Sequence, residues 1–283
     1  MNKLILIGID GMDFNLFRKW EVDLPNLKKI SEEGNATCLE SIFPPDSISA
    51  WTTIFTGLDP SEHGLLYSIN YLEGNKKLSV NTDAFRNKTF WDIVSKFGKR
   101  VCVVNPFMAY PPWDVNGVMV SGPVFISGNV TSTPPNIAEA NKLPEMGGIV
   151  DFPSTNELND FYDRAKKNTE ELADYGLKLL KMEKWDLFFI SFLTLDRVKH
   201  FLWRFQDPSD PTYPGSNDFH SSIKDFYILL DKVVGNFLQT IDADTRVMVI
   251  SDHGHQKRCY NIFNMNEYLR REKYLIANIP RFK

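Results

Sequence analysis

Short apolar runs alternate along this chain with longer segments whose apolar residues recur every three or four positions. The runs Leu4–Ile9, Leu187–Leu193 and Val247–Ser251 are typical of strands that are buried on both faces of a sheet. The amphipathic segments 156–181 and 221–241 predict helices that flank the middle run. This alternation predicts an α/β protein with a mostly parallel central sheet and helices on both faces.

Glycine and proline positions locate further elements. The helix opened by Leu24 and Pro25 is predicted to end at Gly34, and residues 36–42 look extended. The remaining predicted elements are helices at Ala50–Phe55, Phe90–Phe97 and Phe263–Tyr274 and strands at Arg100–Val104 and Gly117–Ser121. Residues 123–160 lose periodicity, which is typical of a lid or a disordered loop. We therefore expect one domain over residues 1–283, with 123–160 as an insertion or lid loop.

Composition narrows the classes of partner. A net charge of −4 argues against a binder of nucleic-acid polymers, which would be basic. No apolar stretch approaches the roughly 20 residues that span a bilayer, and the first residues fit neither a signal peptide nor a transit peptide. The cysteines Cys38, Cys102 and Cys259 show no CxxC spacing. These features predict a cytoplasmic protein without a membrane partner and leave its oligomeric state open.

An acidic residue follows each of the three apolar runs. Asp10 and Asp252 come directly after theirs, and Asp196 lies just beyond Leu187–Leu193. Because ligand sites of open α/β sheets lie at the carboxyl ends of the strands, these carboxylates are predicted to meet, with His200 and His253 close by. Carboxylate and imidazole are ligands of divalent metals. A single Asp after a strand is more simply a helix N-cap, but three of them with histidines attached indicate a metal site.

The spacing of the other polar residues adds detail. Asp196 and His200 are four positions apart, which places both on one face of a helical turn. Asp252 and His253 are adjacent and can reach opposite sides of a cleft. The remaining basic candidates are given simpler interpretations: solvated surface for Arg197 and Lys199, a structural turn for His63, and an exposed position for His220.

Ser47 lies immediately before a predicted helix. A helix N-terminus is a natural seat for a phosphate, because its free N–H groups and dipole favour negative charge. A serine hydroxyl is a weak nucleophile that metal coordination would activate. The alternative is that Ser47 or Ser49 is only the N-cap of the helix. Ser49 is the better candidate for a pure cap, which leaves Ser47 free for chemistry.

Taken in order, these motifs resemble the type I phosphodiesterase/nucleotide pyrophosphatase family of the alkaline phosphatase superfamily. The resemblance spans nearly the whole chain and rests on Asp10-Gly11, Leu24–Leu27, Phe43–Ser47, Thr56–Gly64, Lys99–Pro112, Gly117–Gly122, Trp185–Phe188, Asp196 with His200, and Ser251–Gly254. It implies an alkaline-phosphatase-like three-layer sandwich.

The resemblance also implies roles. By position, Asp10, Ser47, Asp252 and His253 match the ligands of one metal, with Ser47 as the nucleophile. It implies two divalent ions, with zinc as the usual pair and manganese as the alternative, and a phospho-serine intermediate that is then hydrolysed. The implied function is a metal-dependent hydrolase of small phosphate esters, with diesters preferred over monoesters.

Two departures from the family pattern stand out. Asp196 and His200 match two of three protein ligands of the second metal, but the family's downstream Gly-x-His motif is absent. The chain is then a truncated piece, its second site is weakened, or another residue substitutes. His255 is the only later histidine, although it does not occupy the family position. Ala50 stands where nucleotide pyrophosphatases carry an Asn that holds the phosphoryl oxygen, so that activity is in doubt.

The alternatives remain within the same superfamily. One is a degenerate, non-catalytic member that binds one metal or a phosphorylated ligand. Another is a phosphomonoesterase or a phosphomutase. A sulfatase is disfavoured, because the segment Ser47–Trp51 lacks the Pro and Arg of the sulfatase motif.

Overall fold

The fold is built on a six-stranded sheet. A computed structural model describes residues 3–66, 71–72, 75–76, 85–124, 128–139, 143–147, 152–257, 259, 261 and 263–276. The strands are β1 (Lys3–Ile9), β2 (Tyr71–Leu72), β3 (Asn75–Lys76), β4 (Val101–Val104), β5 (Gly117–Ser121), β6 (Thr131–Thr133), β7 (Leu187–Phe192) and β8 (Thr245–Ile250). The main sheet has the order β6-β5-β4-β7-β1-β8, and β2 and β3 form a separate antiparallel pair.

All neighbours in the main sheet are parallel except the edge pair β5 and β6. Strand β1 lies between β7 and β8, with Ile9 opposite Phe192 and Gly8 opposite Ile250. The three runs that precede the acidic residues are therefore adjacent strands that run in the same direction. Their carboxyl ends lie side by side at one edge of the sheet.

The helices cover both faces of this sheet. They are α1 (Phe14–Trp20), α2 (Pro25–Glu33), α3 (Ser47–Thr56), α4 (Pro60–His63), α5 (Phe90–Lys96), α6 (Asn136–Glu139), α7 (Leu158–Met182), α8 (Thr194–Gln206), α9 (Ser222–Thr240) and α10 (Met265–Arg271). Short 3-10 turns occupy Glu21–Asp23 and Thr155–Glu157. None of the described helices combines the length and the apolar character that a membrane crossing requires.

Alternation along the strands divides the interior into two cores. In β7, Phe188 and Ile190 belong to one core, and Leu187 and Phe189 belong to the other. Buried side chains of α1, α2, α7, α8 and α9 complete the first core, and those of α3 and α5 complete the second. A strand buried on both faces needs apolar residues at every position, which explains the continuous apolar runs at β1 and β7. The run at β8 was also predicted to be buried, and that was wrong: β8 is at the edge of the sheet, none of its residues is buried, and Met248 is 50% exposed. The predicted α/β sandwich is confirmed.

Some local predictions were wrong. Residues 36–42 form no strand, and α3 begins three residues before the predicted Ala50. The predicted helix Phe263–Tyr274 is the shorter α10, which buries none of its side chains. The segment 123–160 contains β6, α6 and the start of α7 among its described residues. Its role as an insertion or lid stays a prediction.

Candidate metal and phosphate site

Three carboxylates meet at the carboxyl edge of β7, β1 and β8. Asp10 follows β1, Asp252 follows β8, and Asp196 lies in the first turn of α8, which begins two residues after β7. The N–H of Asp10 donates to the carbonyl of Phe192 at 2.9 Å, which continues the pairing of β1 with β7 past the strand end. All three carboxylates are buried, with at most 8% of each residue exposed.

Two carboxylate oxygens at this edge have no hydrogen-bond donor among the described residues. Asp252 Oδ1 accepts from the N–H of Gly11 at 3.1 Å, but Asp252 Oδ2 is buried without a hydrogen-bond partner among the described residues. Asp196 Oδ1 is likewise buried without a hydrogen-bond partner among the described residues. Asp10 Oδ2 accepts from the Trp51 indole at 3.0 Å. Buried acceptors without donors are costly, so a cation bound beside these two oxygens would stabilise them.

The electrostatics of the carboxylates point the same way. Burial, together with the negative charges of Asp252 and Asp196, raises the pKa of Asp10 well above its ordinary value. Burial likewise raises the pKa of Asp252 to about 6. For Asp196 burial acts in the same direction, but the adjacent imidazoles of His200 and His255 outweigh it and lower the pKa of this carboxyl. A divalent cation would relieve the repulsion between Asp10 and Asp252.

Ser47 is the first residue of α3, and its hydroxyl is directed at this cluster. Ser47 Oγ lies 2.9 Å from His253 Nε2 and 3.5 Å from Asp10 Oδ1. The predicted cap Ser49 is wrong: Asp46 caps α3 by accepting from the N–H of Ile48 at 3.0 Å, and Ser49 is buried within the first turn. Because Asp46 is the N-cap, the hydroxyl of Ser47 is not needed to cap the helix. It is therefore free for chemistry, as predicted from the sequence.

His253 is fixed in one tautomer. Its Nδ1 lies 2.7 Å from the carbonyl of Gly254, and because a carbonyl only accepts, Nδ1 carries the proton. Nε2 lies 3.3 Å from Asp252 Oδ2 and 3.7 Å from Asp10 Oδ1. The hydroxyl of Ser47, the imidazole of His253 and the carboxylates of Asp10 and Asp252 thus lie close together as potential ligands. This donor set fits a bound divalent cation.

A second group of possible ligands adjoins the first. Asp196 Oδ2 lies 3.2 Å from His200 Nε2, as the four-residue spacing on α8 predicts. Potential ligand atoms of Asp196, His200 and His255 lie within 4.8 Å of one another, and so do those of Asp10, Asp196 and His253. Asp196 belongs to both groups. The predicted site residues are therefore all brought to one edge of the sheet.

Lys199 was predicted to be solvated surface, and that prediction was wrong. The residue is fully buried, and its ammonium donates to the carbonyl of Gly11. Burial lowers the pKa of Lys199 to about 8, while the nearby carboxylates, Asp196 foremost, oppose this effect. Its turn of α8 faces inward beneath the cluster, which the sequence position alone did not reveal. Lys199 places one fixed positive charge under the site.

The remaining histidines behave as interpreted. His63 is buried, lies 3.1 Å from Thr53 Oγ1 and accepts from the N–H of Leu65 at 3.0 Å, so it is structural. Burial lowers its pKa. His220 is exposed. Burial also lowers the pKa of His255, which favours the neutral ring.

Trp51 is a site residue that the sequence interpretation missed. It is fully buried in α3 and donates to Asp10, while its ring packs on Gly8 of β1. The available signal was the glycine: an isolated Gly within a strand often marks a close approach. Trp51 thereby orients the Asp10 carboxylate from behind, as an outer-shell partner does for a metal ligand.

Gly8→Ala is expected to disturb this support. A Cβ at residue 8 would lie 2.7 Å from the Trp51 ring, so the indole would have to leave Asp10. We expect a stability loss of about 1–3 kcal/mol from overpacking and zinc affinity lowered by roughly 10-fold or more. Chemical denaturation and zinc titration measure the two effects. Trp51→Phe, which keeps the ring but removes the N–H, should lose affinity with a smaller loss of stability. Unchanged zinc binding in both variants would rule out this role of Trp51.

Comparison with known proteins places this geometry in context. The model of the type I phosphodiesterase / nucleotide pyrophosphatase family matches residues 4–280. Venom phosphodiesterase 2 of Crotalus adamanteus is 29% identical over 93 residues, which are 31% of this chain and 11% of that protein. Ectonucleotide pyrophosphatase/phosphodiesterase family member 3 of Mus musculus is 28% identical over 90 residues, 31% of this chain and 10% of that protein. The matches therefore span about a tenth of these relatives.

Solved structures share the fold. Phosphonoacetate hydrolase from Sinorhizobium meliloti 1021, in complex with phosphonoformate, superposes with a TM-score of 0.62 at 17% identity, covering 95% of this chain and 62% of that one. BT1596, a 2-O GAG sulfatase, gives a TM-score of 0.54 at 10% identity, covering 89% of this chain and 58% of that one. At these identities the likeness concerns the fold alone. The family match over 4–280, on a fold that gathers Asp10, Ser47, Asp196 and Asp252 at one edge, identifies this chain as a member of the type I phosphodiesterase/nucleotide pyrophosphatase family.

Proposed function

We propose that this chain is a metal-dependent hydrolase of small phosphate esters, a phosphodiesterase that uses Ser47 as its nucleophile. One observation carries the proposal: the Ser47 hydroxyl, at the N-terminus of α3, lies 2.9 Å from His253 Nε2 and 3.5 Å from Asp10 Oδ1. A nucleophile, an imidazole and a buried carboxylate are thus within reach of one another at a helix end that favours anions.

The donor sets support the following proposed metal ligands. Asp10, Ser47, Asp252 and His253 would hold one divalent ion, and Asp196 and His200 would contribute to a second. We propose Zn²⁺, with Mn²⁺ as the alternative, because the set mixes imidazole with carboxylate oxygen. Such ions supply Lewis acidity and lower the pKa of a coordinated hydroxyl or water. The buried, partnerless oxygens of Asp196 and Asp252 support this assignment.

The chain's own residues would then act as follows. Ser47 would attack phosphorus as the P–O bond to the leaving alcohol breaks, which forms a phospho-serine. The serine proton would be released to water, because Asp10 and His253 are occupied as ligands, and the departing alkoxide would take a proton from water. The first turn of α3 faces the phosphoryl oxygens with the positive end of its dipole. Hydrolysis of the phospho-serine restores the hydroxyl. Ala50 is buried in that turn, and its methyl group donates no hydrogen bond to the phosphoryl group.

The proposal is tested by comparing two esters. Purified protein that has been supplemented with zinc or manganese is assayed on bis-p-nitrophenyl phosphate and on p-nitrophenyl phosphate. We expect faster release from the diester and loss of both activities after dialysis against a chelator, with recovery on adding metal. A folded, metal-loaded protein that cleaves neither ester would contradict the proposal. Preference for the monoester would replace a phosphodiesterase with a phosphomonoesterase.

A further inference from the structure

We infer that His255 is a protein ligand of the second metal, beside Asp196 and His200. The inference rests on the proposed function, because it concerns the same two-metal site. Of the five histidines in the sequence, His63 is held in the structural contacts described above and His220 is exposed. The other three lie at the carboxylate cluster, and His255 alone among them has no role there yet.

The position of His255 is set by Asp196. The two oxygens of this carboxylate face different imidazoles: Oδ2 lies 3.2 Å from His200 Nε2, and Oδ1 lies 3.5 Å from His255 Nδ1. The contact with His255 is too long for a hydrogen bond, and Asp196 Oδ1 is buried without another partner among the described residues. An ion held by the carboxylate and both rings would satisfy this oxygen.

The rings are arranged around the same position. The centroids of His200 and His255 are 4.9 Å apart, with their planes at 82°, and Trp203 packs against His255 at 5.3 Å. The side chain of His255 is 12% exposed. Rings that are nearly perpendicular can direct a nitrogen each toward one ion without contacting each other face to face.

The backbone before His255 is held as well. The N–H of His255 approaches Asp13 Oδ2 at 3.4 Å, and Asp13 also caps α1 by accepting from the N–H of Leu16 at 2.9 Å. Gly254 lies so close that a Cβ there would be 2.6 Å from Asp13 Oδ2. Because Gly254 has no Cβ, the backbone at this position can pack closely against Asp13. This close packing places His255 next to Asp196.

The resulting donor set is chemically complete. Two imidazoles and one carboxylate, with a further position left open, are a common ligand set for catalytic zinc. The local sequence Asp252-His253-Gly254-His255 would serve both metals, with His253 at the first and His255 at the second.

The test counts metals rather than turnover. Metal-free protein is titrated with Zn²⁺ and Co²⁺, and the number of bound ions and their affinities are measured by calorimetry and elemental analysis. We expect two ions per chain in the wild type. His255→Ala should keep the first ion and bind the second more weakly by more than the roughly 10–100-fold that loss of an outer-shell partner costs. His200→Ala should do the same, and His220→Ala, the matched control, should retain both.

A second variant keeps the test decisive if His255→Ala folds poorly. In His255→Cys, Co²⁺ at the second site should produce a thiolate-to-cobalt charge-transfer band that the wild type lacks. Two ions bound with unchanged affinity in His255→Ala, or no such band in His255→Cys, would overturn the inference while leaving ester hydrolysis unaffected. Failure of the proposed function looks different: two metals bind to the wild type, but neither ester is cleaved.

Discussion

Ser47→Ala is expected to lower kcat for the diester by at least about a thousandfold, as loss of a nucleophile does in other enzymes that form covalent intermediates. The hydroxyl reaches both His253 and Asp10 from the first residue of α3. The fold should be unaffected, because Asp46 and not Ser47 caps the helix. Steady-state kinetics measures the loss, and mass spectrometry of acid-quenched reactions should detect a phosphoryl group on the wild type alone.

Ser49→Ala is the matched control for this experiment. Ser49 lies on the same helical turn, but its hydroxyl is buried and without a hydrogen-bond partner among the described residues. Its removal should leave kcat within about twofold and should not reduce stability, because no hydrogen bond is lost. If Ser47→Ala retained wild-type turnover, or if both serine variants lost it equally, Ser47 would not be the nucleophile.

Asp252→Asn is expected to change metal binding and stability in opposite directions. The variant should bind the first metal more weakly by more than about 100-fold, because a direct ligand is replaced by a neutral amide. Metal-free, it should be more stable than the wild type by about 3 kcal/mol at pH 8, since burial raises the pKa of Asp252 to about 6 and its ionised form is costly. Denaturation with and without zinc measures both effects.

The sign of the pH dependence follows from the raised pKa. In the metal-free wild type, Asp252 takes up its proton near pH 6 when folded and near pH 4 when unfolded. The folded state thus holds more protons between these values, so its stability falls as the pH rises from about 4 to 6. The advantage of Asp252→Asn should therefore appear across this range and level off above it.

Asp231→Asn provides a control with the opposite sign. Asp231 is as buried as Asp252, but its two oxygens accept from the backbone N–H groups of Asn26 and Leu27 and from the Asn26 side chain. An amide group would turn a donor toward these donors and cost about 1–3 kcal/mol. Asp231→Asn is expected to destabilise the metal-free protein. If Asp252→Asn destabilised it as well, the ionised carboxylates would not be unfavourable without a cation, and the proposed cation site would be contradicted.

The apolar runs in the sequence determined the sheet and the meeting of its acidic residues. A strand buried on both faces must be apolar throughout, and the carboxyl ends of parallel strands lie at one edge. Asp10, Asp196 and Asp252 could therefore be assigned to one site from the order of residues alone. The four-residue spacing of Asp196 and His200 worked for a similar reason, because a helical turn fixes which residues share a face.

The tertiary structure alone decided which other groups reach this edge. Lys199 is a polar residue on an amphipathic helix, and only the packing of α8 against the sheet turns its ammonium toward Gly11. Trp51 reaches Asp10 because Gly8 leaves room on the neighbouring strand, and His255 reaches Asp196 because Gly254 lets the loop approach Asp13. Periodicity in a sequence records which face of an element is buried. It does not record how closely two elements approach, and that distance decides which side chains meet.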